Sequence, residues 1–132
     1  MKNLAFVLVL FSSLYLCAQQ STTFEKYPVF PECETVPLDE LETCFTATFQ
    51  NYIVNNFRVP AIVSEENYNG SMTVFFEVDK EGAFKLLYTD AIYDELKLEA
   101  QRLFDSLPAI APATYNGRPS YVQFTMPIAI PL

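Results

Sequence analysis

The chain is predicted to be an α+β domain of order α-β-β-α-β, two helices packed on a small antiparallel three-stranded sheet. Three observations predict it. Apolar residues step by three and four over residues 38–57 and again over 93–107, which is helical spacing. Between them Met72, Val74, Phe76 and Val78 alternate with Ser71, Thr73, Phe75 and Glu77, the two faces of a strand. A second alternation closes the chain, with Val122, Phe124, Met126 and Ile128 set against Tyr121, Gln123, Thr125 and Pro127. Two helices on one face of an antiparallel sheet bury all these apolar surfaces with few elements.

The elements follow in order. Residues 19–36 are polar and punctuated by Pro28 and Pro31, which predicts an extended lead-in to a domain over residues 37–132. The first helix presents Leu38, Leu41, Phe45, Phe49, Tyr52, Ile53 and Phe57. Asp39, Glu40 and Glu42 crowd its first turn, where the helix dipole favours negative charge, and Pro60 prevents its continuation. Asn69-Gly70 is a turn signal. The strand after it reaches a turn at Asp79-Lys80-Glu81-Gly82, and a second strand over residues 83–89 completes a hairpin. The second helix carries Leu96, Ala100, Leu103, Phe104 and Leu107 on one side, and Pro108 stops it. Pro112, Asn116, Gly117 and Pro119 mark a loop before the last strand. Proline cannot donate to a ladder, so Pro127 and Pro131 place that strand at a sheet edge.

The first stretch is of a different kind. Lys2 precedes an apolar run over residues 4–16, and small Ala18 follows, which reads as a signal peptide over residues 1–18 cleaved after Ala18. The run is shorter than the roughly 20 residues that span a bilayer, so no transmembrane helix is expected in the mature chain. An inner-membrane anchor and a lipoprotein modified at Cys17 are the alternatives. Leu16 speaks against the second, because a small residue normally precedes a lipidated cysteine. Removing the leader leaves two cysteines, Cys33 and Cys44, and an even pair in an exported chain favours a disulfide. The ring would hold about ten intervening residues and stabilise by about 2–3 kcal/mol.

Composition excludes several functions. The chain has 132 residues, 51% hydrophobic, which suffices for one domain with one core. With no histidine it lacks the commonest general base and metal ligand. A net charge of −8 opposes binding to a nucleic-acid backbone. Asp79 and Glu81 read as a hairpin turn with solvated charges, Glu65-Glu66 as a loop rim, and Asp94-Glu95 as a helix N-terminal turn. There is no Gly-x-Ser-x-Gly, and Gly82 and Gly117 are too isolated to cradle a phosphate. Asn69-Gly70-Ser71 matches a glycosylation acceptor, which has meaning only in a eukaryotic secretory pathway. Phe75, on the outer face of its strand, is a candidate contact residue. No catalytic constellation, metal site or cofactor is expected.

A set of short motifs resembles one family. Gly70, Met72, Val74, Phe76, Val78, Asp79 and Gly82 are similar to the "G-x-V-x-V-x-F-x-V-D-x-x-G" hairpin of the TonB C-terminal domain family. Leu98-Glu99-Ala100, then Leu107-Pro108 and Pro112, resemble its second helix and the loop that follows. Asn116-Gly117-Arg118-Pro119 is similar to its "N-G-K-P-V" run, Met126-Pro127-Ile128 to its "v-P-I" ending, and Val59-Pro60 to its "Y-P" after the first helix. Ile110 stands where the family usually carries a tryptophan.

The resemblance implies a periplasmic binding domain that takes an extended segment of a protein partner as an added strand, which in the family is a segment of an outer-membrane transporter. It implies that Tyr121, Val122, Gln123, Phe124, Thr125 and Met126 form the partner-binding edge strand. A full transducer has an uncleaved anchor and a long proline-rich spacer. Here about 20 residues separate the leader from the first helix and reach at most about 70 Å. The expectation is therefore a free-standing, exported, disulfide-stapled, non-enzymatic module of the periplasm, bound to a protein or peptide. A structural or assembly subunit of a cell-envelope complex, including a homodimer, is the alternative.

Overall fold

The structure is a computed structural model that describes residues 25–132. The leader, its cleavage after Ala18 and Cys17 lie outside the described residues. The predicted α+β class and three-stranded antiparallel sheet are both present. Helix α1 spans Leu41–Asn56, α2 spans Ala61–Glu65, strand β1 Gly70–Val78, β2 Phe84–Asp90, α3 Asp94–Asp105, β3 Ala113–Tyr115, β4 Arg118–Ser120 and β5 Val122–Ile130.

Sheet order β2-β1-β5 puts β1 at the centre, antiparallel to both neighbours. The β1–β5 register is uninterrupted, from Gly70 opposite Ile130 to Val78 opposite Val122. Between β1 and β2 it shifts at Leu87, because Phe75 faces Tyr88 while Phe76 faces Leu86. Such a bulge gives one strand an extra residue and twists the edge it sits on. On the outer face Phe75 packs on Tyr88, with ring centroids 5.7 Å apart, so Phe75 is half-buried.

The helices cover the other face. α1 buries Leu41, Phe45, Phe49 and Ile53, one residue per turn, while Leu38 lies in a preceding 3₁₀ turn and is exposed. α3 buries Leu96, Ala100, Leu103 and Phe104. Phe49 is fully buried where the two layers meet, with ring centroids 4.9 Å from Phe76, 5.8 Å from Phe84 and 5.7 Å from Phe104. Arg102 of α3 fixes the far end of α1 by donating to the Asn56 carbonyl (2.7 Å) while its Nε bonds Glu99 (2.8 Å).

The lead-in is part of this core. Val29, Phe30 and Cys33 are buried with the helices and strands. Isolated bridges join Lys26 to Thr114 and Val29 to Ala111, so residues 26–29 run beside β3. Cys33 and Cys44 form the expected disulfide, with Cα atoms 6.0 Å apart, and staple the lead-in to α1.

Three elements were not expected, α2, β3 and β4. Pro60 ends α1 but also caps α2, whose single turn is too short to show periodicity. The segment read as a loop contains the β3–β4 hairpin, with Tyr115 opposite Arg118. Asn116 (φ 50°) and Gly117 (φ 72°) both adopt left-handed backbone, as a two-residue hairpin turn requires.

The Asp79 turn also differs from expectation. Asp79 is buried at 8% exposure instead of solvated. Its Oδ1 accepts from the N–H groups of Glu81 and Ala83, each at 2.9 Å, and its Oδ2 meets Lys85 Nζ at 2.9 Å. The Lys85 hydrogen bond, then those from the backbone, hold the carboxyl below its ordinary range although burial opposes them. A depressed folded pKa contributes stability above the unfolded value, about 3.9, and that contribution is lost as pH falls through the folded value. Asp79→Asn should therefore lower stability at pH about 7 and flatten part of the acid limb, because the variant has no proton to bind there. Urea unfolding at neutral and acid pH checks this; an unchanged acid slope contradicts it.

Candidate functional site

The last strand lies where its prolines predicted, at a sheet edge. β5 pairs with β1 on one side, and no described strand pairs with the other. The phase of its main chain follows from Pro127. In an antiparallel pair each residue turns its N–H and C=O to the same side, and a proline is tolerated where the missing N–H would point away from the partner. Pro127 lies opposite Thr73 in an uninterrupted ladder. Gln123, Thr125, Pro127 and Ala129 therefore turn main-chain groups outward, while Val122, Phe124, Met126, Ile128 and Ile130 bond β1. The outer edge offers the N–H groups of Gln123, Thr125 and Ala129 together with the carbonyls of all four.

The six residues expected to form the edge separate on these grounds. Tyr121 precedes β5 and is exposed. Val122 and Met126 are buried in the core, and Phe124 is half-buried. Gln123 and Thr125 are the two that combine an exposed side chain with outward main chain, and the Gln123 amide donates to Glu77 at 3.2 Å. The edge also extends past Met126, through Ala129.

A groove runs beside this edge under α1. One section, about 280 Å³, lies between Thr46 and Gln50 of α1 and the Phe124–Pro127 stretch of β5. The next, about 210 Å³, shares Gln50, Met126 and Pro127 and continues along Val54, Ala129 and Leu132. Sequence reading missed it because α1 and β5 lie far apart in the chain, and neither carries a sign of the other.

The first section ends in an aromatic cluster. Phe45 stacks on Phe124 at 4.8 Å between centroids, and Tyr27 lies 6.1 Å from Phe45 and 6.0 Å from Phe124. Burial, followed by a hydrogen bond to Glu42, pushes the Tyr27 hydroxyl up to about 12. Its proton is therefore held toward Glu42 at neutral pH. No family model, curated protein or solved structure matches this chain.

What remains is the geometry. Among the described residues no three histidine, cysteine, aspartate or glutamate side chains come together as metal ligands, and no helix is long and apolar enough to cross a membrane. The β5 edge can offer hydrogen bonds from the main chain, with apolar and amide side chains along one wall. That combination suits an extended peptide, whose own main chain is the complement and whose alternate side chains would enter the groove.

Proposed function

We propose that the chain is a non-enzymatic peptide-binding module of the cell envelope, exported to the periplasm and related to the C-terminal domain of TonB energy transducers. It takes an extended segment of a protein partner, in this reading part of an outer-membrane transporter, as a strand added to β5. The observation that carries the reading is the outer edge of β5, unpaired among the described strands and bordered by the groove under α1. Exposed edges are usually blocked by charge, proline or a covering element. Gln123 and Thr125 carry no charge, and the one proline in the strand removes a single donor. The family motifs of the β1–β2 hairpin add support, since Asp79 and Gly82 both have structural tasks in that turn.

Proline substitution tests the reading by position. Gln123→Pro or Thr125→Pro removes one outward N–H and leaves the β1 ladder intact, as Pro127 already does. Phe124→Pro removes a ladder bond and a core ring, and should cost at least about 3 kcal/mol of stability. A blocked, labelled peptide of alternating threonine and valine should bind the wild type. Binding should weaken at least about tenfold in Thr125→Pro, a lost main-chain bond costing about 1.4 kcal/mol, with melting temperature unchanged. Equal binding by both proteins contradicts the reading, as does a stable oligomer in sedimentation that hides β5.

A further inference from the structure

The positive charges of this acidic chain are unevenly used. Among the described residues Lys85 pairs with Asp79, Lys97 with Asp94 and Arg102 with Glu99. Among the described residues Lys80 and Arg118 are in no ion pair, yet both line one recess of about 520 Å³ that no described acidic side chain lines. Tyr115 and Tyr121 share it, 48% and 49% exposed, and Asn116 closes one side.

The fold assembles this recess from two turns. The left-handed Asn116-Gly117 turn sets Tyr115 and Arg118 side by side as a cross-strand pair. The β1–β2 turn supplies Lys80, two residues beyond Val78, which is registered with Val122. Tyr121 joins the recess directly to the start of β5. The recess therefore lies where one end of a peptide on the β5 edge would arrive.

We propose that this recess binds the carboxylate side chains of an acidic stretch flanking the segment that pairs with β5. The proposal deepens the edge-strand reading and rests on it for the peptide, while the contact with carboxylates is tested separately. Charge complementarity selects the occupant. A net charge of −8 repels an acidic chain elsewhere, whereas here a guanidinium and an ammonium line one recess with two tyrosines and no acidic side chain. The recess would fix the register of the added strand, which main-chain bonding alone leaves free to slip by two residues.

Two end-blocked peptides with the same threonine–valine centre test this, one flanked at both ends by two glutamates and the other by two glutamines. Each is titrated into isotope-labelled protein and followed by amide shifts. The glutamate peptide should bind about tenfold more tightly, as two exposed ion pairs allow, and lose most of that margin at about 0.5 M salt. Its shifts should include Lys80, Tyr115, Arg118 and Tyr121. The double variant Lys80→Gln/Arg118→Gln should remove the difference without weakening the glutamine peptide. Equal affinities with shifts along β5 overturn the recess and leave the edge reading standing. Shifts in the recess alone, specific to glutamate, keep the carboxylate site and overturn the edge reading. No shift at the recess with either peptide overturns the proposal.

Discussion

Gly82→Ala should be the most damaging single methyl in this protein. Gly82 has φ +81°, where an L side chain is strained, and an added Cβ would lie 2.8 Å from the Ile110 carbonyl carbon and overlap its oxygen. Neither side can yield cheaply. The Gly82 N–H bonds the Asp79 carbonyl at 3.0 Å, and the Gly82 carbonyl accepts from the Ile110 N–H at 3.0 Å. Left-handed backbone costs about 1–2 kcal/mol for alanine, and overpacking against fixed backbone adds about 1–3 kcal/mol. A total of about 2–5 kcal/mol is expected, which in a domain of this size lowers the melting temperature by at least about 8 °C. Gly117→Ala is the control, because Gly117 has φ +72° but nothing within 4 Å of the added carbon. It should show only the backbone cost, about 1–2 kcal/mol. Equal losses in urea unfolding of the two variants would contradict the crowding at Ile110.

Phe49→Ala should come next. The Phe49 ring is fully buried and borders Phe45, Phe76, Phe84 and Phe104, so its removal opens a hole that touches α1, β1, β2 and α3 at once. Large-to-small changes at such sites cost about 3–5 kcal/mol, and the upper end applies where neighbours cannot collapse inward. Four surrounding rings held by different elements collapse poorly. Since small domains are stable by only about 5–15 kcal/mol, the variant should be close to unfolding at physiological temperature. Chemical unfolding gives the loss directly, and a cost below about 1.5 kcal/mol would place Phe49 outside the centre of the core.

The sequence carried the architecture wherever one period ran long enough to read. α1 and α3 each bury a residue on successive turns, and β1 and β5 alternate over nine residues each, so their patterns were plain. The edge position of β5 was also legible, because proline excludes itself from a central strand. The β3–β4 hairpin was not read, because strands of three residues containing Pro119 show no alternation. Asn116-Gly117 was the one signal that could have found it. Asp79 looked like a surface charge because nothing local reveals that Lys85, across the hairpin, would meet its carboxylate. Which edge residues turn outward needed the register against β1. The groove under α1 and the Lys80–Arg118 recess depend on contacts between distant segments, which no local pattern encodes.

Amide hydrogen exchange along β5 tests the central claim most directly. In the free protein the amides of Gln123, Thr125 and Ala129 should exchange fast, while those of Val122, Phe124, Met126 and Ile128 are protected by β1. Saturation with the threonine–valine peptide should slow Gln123 and Thr125 at least about tenfold, as expected for amides newly bonded to an added strand. Protection of Gln123 and Thr125 already in the free monomer, or no change at these amides in the presence of bound peptide, would contradict the claim that β5 is the edge at which this protein takes its partner.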